Sequence, residues 1–224
     1  MKQTIFITGT DTGAGKTVLT ALVTQFLRKS GVNAVALKPI CSGGRDDARA
    51  LRIAMDGALS LDEINLWHFR APVAPLLAAR RERKIVRLAG VLAHIRSMQK
   101  RFDVLLIEGA GGLLSPLGED FNSRDLIEAL GAAPVVVAPN RLGAVNHILL
   151  TLEALPRSAA ARARIILMSP QKQDSAAVTN AKLLAGFFDG KRIFTLPWLG
   201  EKSSVGEILK KQQVRRTLRA LAPP

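Results

Sequence analysis

The chain has 224 residues, 48% of them hydrophobic and 22% charged, with 18 Gly and 11 Pro scattered along it; this excludes a disordered or fibrous protein and predicts one soluble domain. A lone cysteine, Cys41, allows no internal disulfide or multi-thiolate centre, and three scattered histidines (His68, His94, His147) supply zinc poorly, so any metal is expected to be a hard, oxygen-bound ion. Lys and Arg outnumber Asp and Glu by 32 to 18, a formal net charge of +14 that favours anionic partners.

Along the chain, Gln3–Thr8 reads as a strand ending at Gly9, and Thr17–Lys29 as an apolar-periodic helix stopped by Gly31. Asn33–Leu37 is a second short strand, followed by a loop over Lys38–Gly44 and a helix over Asp46–Met55. From Gly57 to Ala71 no period is clear, and short helices or loop are expected; Pro72 and Pro75 open a polar helix, and Ile85–Arg101 is helical. Asp103–Ile107 is a continuous apolar run of the kind a strand covered on both faces needs. Then come a helix over Ser123–Leu130 with its stop at Gly131, a buried strand over Pro134–Ala138, and a helix over Gly143–Leu155. A strand over Arg164–Met168, a helix over Ser175–Phe188, a strand over Arg192–Leu196 and one C-terminal helix from Val205 to Leu221 complete the chain. This alternation predicts an α/β fold, a mostly parallel sheet with helices on both faces.

No apolar run approaches the ~20 residues of a membrane helix. Met1-Lys2-Gln3-Thr4 opens no secretory signal, so a cytoplasmic protein without a membrane partner is expected. The basic stretches Arg80–Arg87 and Lys210–Arg219 carry apolar residues at helical spacing (Ile85, Leu88, Leu92; Leu209, Val214, Leu218, Leu221), which predicts solvated helix faces. Tyr is absent and aromatics total 4%, leaving few stacking platforms, so no nucleic-acid partner is expected.

Between the first strand and first helix stands Gly9-Thr10-Asp11-Thr12-Gly13-Ala14-Gly15-Lys16-Thr17, a variant phosphate-binding loop. Its amides and the helix N-terminus offer partial positive charge, Lys16 can reach the terminal phosphates, and the Thr17 hydroxyl can bind Mg²⁺. Glu108, at the end of the apolar run before Gly109-Ala110-Gly111-Gly112, stands where open α/β sheets collect ligands and is a second Mg²⁺ candidate. Lys38, after the second strand, would stabilise a transferring phosphoryl group or else point into solvent. Asp46 or Asp47 would complete the Mg²⁺ site with Thr17 and Glu108, or else cap the helix they begin. Free amides at the start of the Gly143 helix could hold an anion such as a carboxylate, or the glycine could simply initiate a helix. His147 and Cys41 read as a helix residue and a small buried hydrophobe.

These motifs, with Lys38-Pro39, Ser42-Gly43, Pro116-Leu117, Leu142-Gly143, Asn146-His147 and Pro197-Trp198-Leu199, together resemble the dethiobiotin synthetase family over nearly the whole chain. The resemblance implies a single-domain P-loop fold spanning residues 1–224 and an ATP- and Mg²⁺-dependent ligase. Such an enzyme joins CO₂ to 7,8-diaminopelargonic acid and closes a ureido ring in biotin synthesis. It further implies that Lys16 and Lys38 stabilise the carbamate and transferred phosphate, and that Thr17, Asp47 and Glu108 hold Mg²⁺. Thr12 and Ser42 would contact the diamine, and Gly13, Ala14, Gly15, Gly111, Pro197 and Leu199 the nucleotide. Gly143, Ala144, Val145 and Asn146 would bind the substrate carboxylate across a homodimer interface. Met168-Ser169-Pro170-Gln171 stands where the family carries an Asn-Asp pair that reads adenine, so weak base discrimination is expected. The alternatives are a partition- or septum-site-type nucleotide-switch ATPase, against which the absence of a lysine near Thr12 counts, and a diverged paralogue with another substrate.

Overall fold

The computed structural model describes residues 2–200 and 203–222. Six parallel strands form the main sheet: β1 (Gln3–Gly9), β2 (Ala34–Leu37), β5 (Val104–Glu108), β6 (Ala133–Pro139), β7 (Arg164–Met168) and β8 (Ile193–Leu196), in the spatial order β2-β5-β1-β6-β7-β8. Between β2 and β5 in sequence, β3 (Ile40–Ser42) and β4 (Trp67–Phe69) pair with each other in a separate two-stranded parallel sheet. Every residue of β5 is buried, which accounts for its unbroken apolar run up to Glu108.

The helices are α1 (Lys16–Lys29), α2 (Asp46–Ala54), α3 (Leu61–Ile64), α4 (Pro75–Arg81), α5 (Leu88–Arg101), α6 (Ser123–Leu130), α7 (Ala144–Glu153), α8 (Arg157–Ala160), α9 (Ser175–Leu184), α10 (Val205–Ile208) and α11 (Gln212–Leu221). They gather in groups against the sheet: α1 packs on α2, α10 and α11, whereas α5 packs on α6 and α7 on α9. Local chemistry sets several ends. Asn122 and Asp125 form a capping box that starts α6, and Gly131 in the left-handed region stops it. No helix among the described residues is long and apolar enough to cross a membrane.

Register brings the charged motifs together. Ile7 of β1 lies beside Glu108 of β5, and Leu37 of β2 beside Ile107, so Lys38 follows its strand at the level where Glu108 ends the neighbouring one. The chain leaves β1 toward β2 on one side, and β6 lies against the other side of β1, so the first loop opens at the switch point of the sheet.

Three expectations are corrected. Ile40–Ser42 is a strand and not part of a loop; like β4, it is three residues long, too short for any period to register. Residues 82–87 are not helical: Arg83 turns the chain at a φ of 55°, Ile85 is exposed with Val86 buried, and α5 begins at Leu88. The C-terminal helix is two, because Lys211 is extended. A continuous helix would place Leu209 and Val214 about 140° apart, too far for both to face one core, yet both are buried.

Candidate active site

The phosphate-binding loop is held from both ends. Thr10 N–H donates to Val137 O of β6 at 3.0 Å, and α1 begins after Gly15, whose φ of 96° only glycine adopts without strain. No side chain caps α1, so its first amides remain available to an anion. Lys16 is buried beneath the loop, and its Nζ donates to Asp11 O at 2.8 Å. Burial, then the positive charge of Lys38, lowers its pKa to about 8, a fall that Glu108, Asp47 and Asp11 partly offset.

Beside it lies a charge cluster, buried at Lys38 and Glu108 and half-exposed at Asp47. Lys38 Nζ is 2.6 Å from Glu108 Oε1 and 2.6 Å from Asp47 Oδ2, and Thr17 Oγ1 donates to the same Glu108 oxygen at 2.7 Å. Burial alone would lower the Lys38 pKa, but Glu108 and Asp47 outweigh it and hold the ammonium above its ordinary value. Burial would likewise raise Asp47, but Lys38 prevails and holds the carboxyl below the usual range. The two aspartates thus separate: Asp47 faces the cluster, while Asp46 pairs with Arg49 on the surface, and the N-cap of α2 is Arg45. Glu108 Oε2 is buried without a hydrogen-bond partner. A free carboxylate oxygen beside a hydroxyl and a second carboxylate is an all-oxygen donor set of the kind a hard divalent ion takes.

Two cavities meet here, sharing Gly13, Gly15, Thr17 and Val18 in their walls. One, of about 870 Å³, runs from the loop past Met168, Ser169 and Pro170 to Pro197, Trp198 and Leu199, and is chiefly apolar. Among its wall residues, Ser169 Oγ and Gln25 Oε1 are buried oxygens without partners. The other, of about 660 Å³, is lined by Thr12, Lys16, Lys38, Ser42, Asp47, Glu108, Gly111 and the turn Pro72–Pro75. Thr12 N–H is tied to Asp11 Oδ1 at 2.6 Å, and the Ser42 hydroxyl donates to Val73 O at 2.6 Å, which leaves its oxygen able to accept.

The structure therefore brings Thr12, Gly13, Ala14, Gly15, Lys16, Thr17, Lys38, Ser42, Asp47, Glu108, Gly111, Pro197 and Leu199 to one pair of cavities, although Gly111 lies on the polar side and not the apolar one. Gly143, Ala144, Val145 and Asn146 line neither; Gly143 caps α7, Ala144 is buried under it, and Gly143 and Asn146 are exposed. Cys41 is buried with its thiol pKa raised by burial, and His147 sits on α7 beside a shallow cleft that includes Asp11 and Leu150. Sequence reasoning passed over Asn65. It is fully buried, its Nδ2 donates to Lys38 O at 2.7 Å, and its Oδ1 accepts from Arg45, which holds the Lys38 backbone in place. It sits where no apolar period was legible. Met168 was also missed as a packing partner of the loop, although a Cβ on Gly15 would come within 3.1 Å of its side chain.

Residues 3–205 match the family described as an AAA domain. The chain is 41% identical over 199 residues to the ATP-dependent dethiobiotin synthetase of Anaeromyxobacter dehalogenans strain 2CP-1, covering 87% of this chain and 89% of that one. It is 36% identical over 226 residues to the protein of the same name from Thermodesulfovibrio yellowstonii, covering 92% and 94%. Among solved structures it is similar to pNOB8 ParA bound to nonspecific DNA, with a TM-score of 0.60 over 99% of both chains. A ParA family ATPase from Chlorobium tepidum gives 0.56 over 99% and 98%. Identity to both is 13%, a likeness of fold alone. The fold alone does not separate these proteins, but identities of 36–41% over most of the chain do, and by them the chain belongs to the ATP-dependent dethiobiotin synthetase family.

Proposed function

We propose that this chain, as one catalytic domain, is an ATP- and Mg²⁺-dependent ligase that joins CO₂ to 7,8-diaminopelargonic acid and closes the ureido ring of dethiobiotin in the cytoplasm. The observation that carries this reading is that the apolar cavity meets, along Gly13, Gly15, Thr17 and Val18, a polar cavity walled by Lys16, Lys38 and Glu108. A switch ATPase needs only the phosphate loop and its metal. A polar cavity with a second buried lysine beside the terminal phosphates suits a second, anionic reactant.

The reaction is chemically coherent in that setting. One amine adds to CO₂ and loses a proton to give a carbamate. A carbamate oxygen takes the γ-phosphoryl group of ATP, releasing ADP. The second amine, held at high effective concentration, attacks the carbonyl carbon; phosphate leaves and the ring closes. Amides of Gly13–Gly15 and the Lys16 ammonium would hold the triphosphate, with the base against Pro197 and Leu199. Lys38 would face the carbamate and the transferred phosphate, Thr12 and Ser42 the diamine, and Gly111 the phosphates of the nucleotide from the polar cavity. Thr17, Asp47 and Glu108 would hold Mg²⁺, which neutralises phosphate charge when bound; the unpartnered Glu108 Oε2 supports that assignment.

The amides of Gly143–Asn146 would complete the substrate-carboxylate site of a second copy in a homodimer. Leu114, Leu142 and Leu150 support this: they are 51%, 81% and 61% exposed, with Leu142 just before α7 and Leu150 on it, apolar surface that a second copy would cover. Incubating the protein with the diamine, bicarbonate, Mg²⁺ and ATP should give the cyclic urea by mass, with one ADP per ring closed. ATP turnover that is indifferent to the diamine would overturn the reading.

A further inference from the structure

Lys38 and a divalent ion have claims on the same atoms. Nζ contacts both Glu108 Oε1 and Asp47 Oδ2 at 2.6 Å, and the Thr17 hydroxyl shares that Glu108 oxygen. Water is excluded from the Lys38–Glu108 contact, where Glu108 is 1% exposed, whereas the Asp47 side chain is 47% exposed and its contact is partly screened. Glu108 Oε2 is free, but an ion there that also reached Asp47 Oδ2 or Thr17 Oγ1 would stand at contact range of the Lys38 ammonium, whose repulsion opposes its entry. Lys16 makes no such claim, since its Nζ rests on the Asp11 carbonyl.

We infer that Lys38 is the internal counter-ion of the metal site: it holds Asp47 and Glu108 together, bars a divalent ion that arrives alone, and yields their oxygens when a triphosphate enters. The inference rests on the metal assignment proposed above and adds the order in which the site fills. Lys16 and Lys38 already balance Asp47 and Glu108 in charge. A lone divalent ion therefore adds uncompensated positive charge to a buried cluster, which is strongly unfavourable. The same ion entering with a triphosphate is part of a net anion, and the phosphate oxygens give the displaced Lys38 ammonium new partners.

Titration with Mn²⁺, followed by the paramagnetic resonance of the free ion, tests this on the intact protein. Without nucleotide, Lys38→Met should bind Mn²⁺ about tenfold tighter than the wild type or better, because a contact cation has been removed. Lys38→Arg, which keeps the charge, should bind as weakly as the wild type. A non-hydrolysable ATP analogue should narrow the gap between Lys38→Met and wild type. If Lys38→Met fails to fold, Lys38→Gln serves instead, since its neutral amide can still donate to Glu108. Equal nucleotide-free affinity in wild type and the neutral variant, or no binding by either, overturns the counter-ion role. Failure of every variant to bind Mn²⁺ with the analogue present would sink the metal assignment itself.

Discussion

Lys16 is buried with its Nζ on one backbone carbonyl, so Lys16→Ala breaks no direct ion-pair contact. The variant should melt as the wild type does while product formation falls about 10²–10³-fold, the usual cost of one preorganised donor. Lys38 differs. Read in sequence as a solvent or phosphate-facing residue, it is packed against two carboxylates, and Lys38→Ala leaves Glu108 buried and unpaired. That variant should lose both turnover and about 3–5 kcal/mol of stability, measured by urea unfolding. At the far end of the apolar cavity, Ser169 offers only a short hydroxyl and Pro170 no N–H, while the triphosphate keeps its amides and Lys16. GTP, CTP and UTP should therefore support ring closure within about tenfold of ATP in kcat/KM. A preference on the order of 10³-fold would show that other residues read the base.

Elements place these residues by register and by a few local devices. The strands of the main sheet were legible because buried parallel strands leave unbroken apolar runs; β3 and β4 were not, being short and stabilised by each other. At the junction of α3 and α5, His94 Nε2 lies 2.9 Å from Glu63 O, so the neutral ring carries its proton on that nitrogen. Burial lowers the His94 pKa, only partly opposed by the Glu63 carbonyl and carboxylate. The unfolded chain, with a histidine pKa of about 6.5, therefore takes up the proton first, and stability falls as pH drops below that value toward the folded one. Thermal melts from pH 7.5 to pH 5 should show a larger loss for the wild type than for His94→Gln, which cannot titrate. Equal losses would mean that His94 is not the group responsible.

On the scale of the whole molecule, the carboxylate-binding amides expected at Gly143–Asn146 lie outside both cavities of their own chain. A second copy would supply them. Leu150→Arg, on the exposed face of α7, should then give a monomer by light scattering, with an unchanged melting profile and little ring closure. An active monomer would show that each chain holds its diamine unaided. Asn146→Ala should weaken diamine binding more than nucleotide binding, as separate titrations would report.

The sequence by itself determined the alternating order of strands and helices, the loop Gly9–Thr17 and the terminal position of Glu108, because each depends on neighbours in the chain: apolar runs, glycine punctuation, a lysine at a helix start. It left open whether Asp46 or Asp47 belongs to the site, since both open the same helix, and whether Lys38 is solvated. Tertiary structure decided those points. The register of β2 against β5 puts Lys38 beside Glu108, and the packing of α2 on α1 turns Asp47 toward them and Asp46 to the surface. A charge's partner lies across strands and helices, at a distance in sequence that no local pattern encodes.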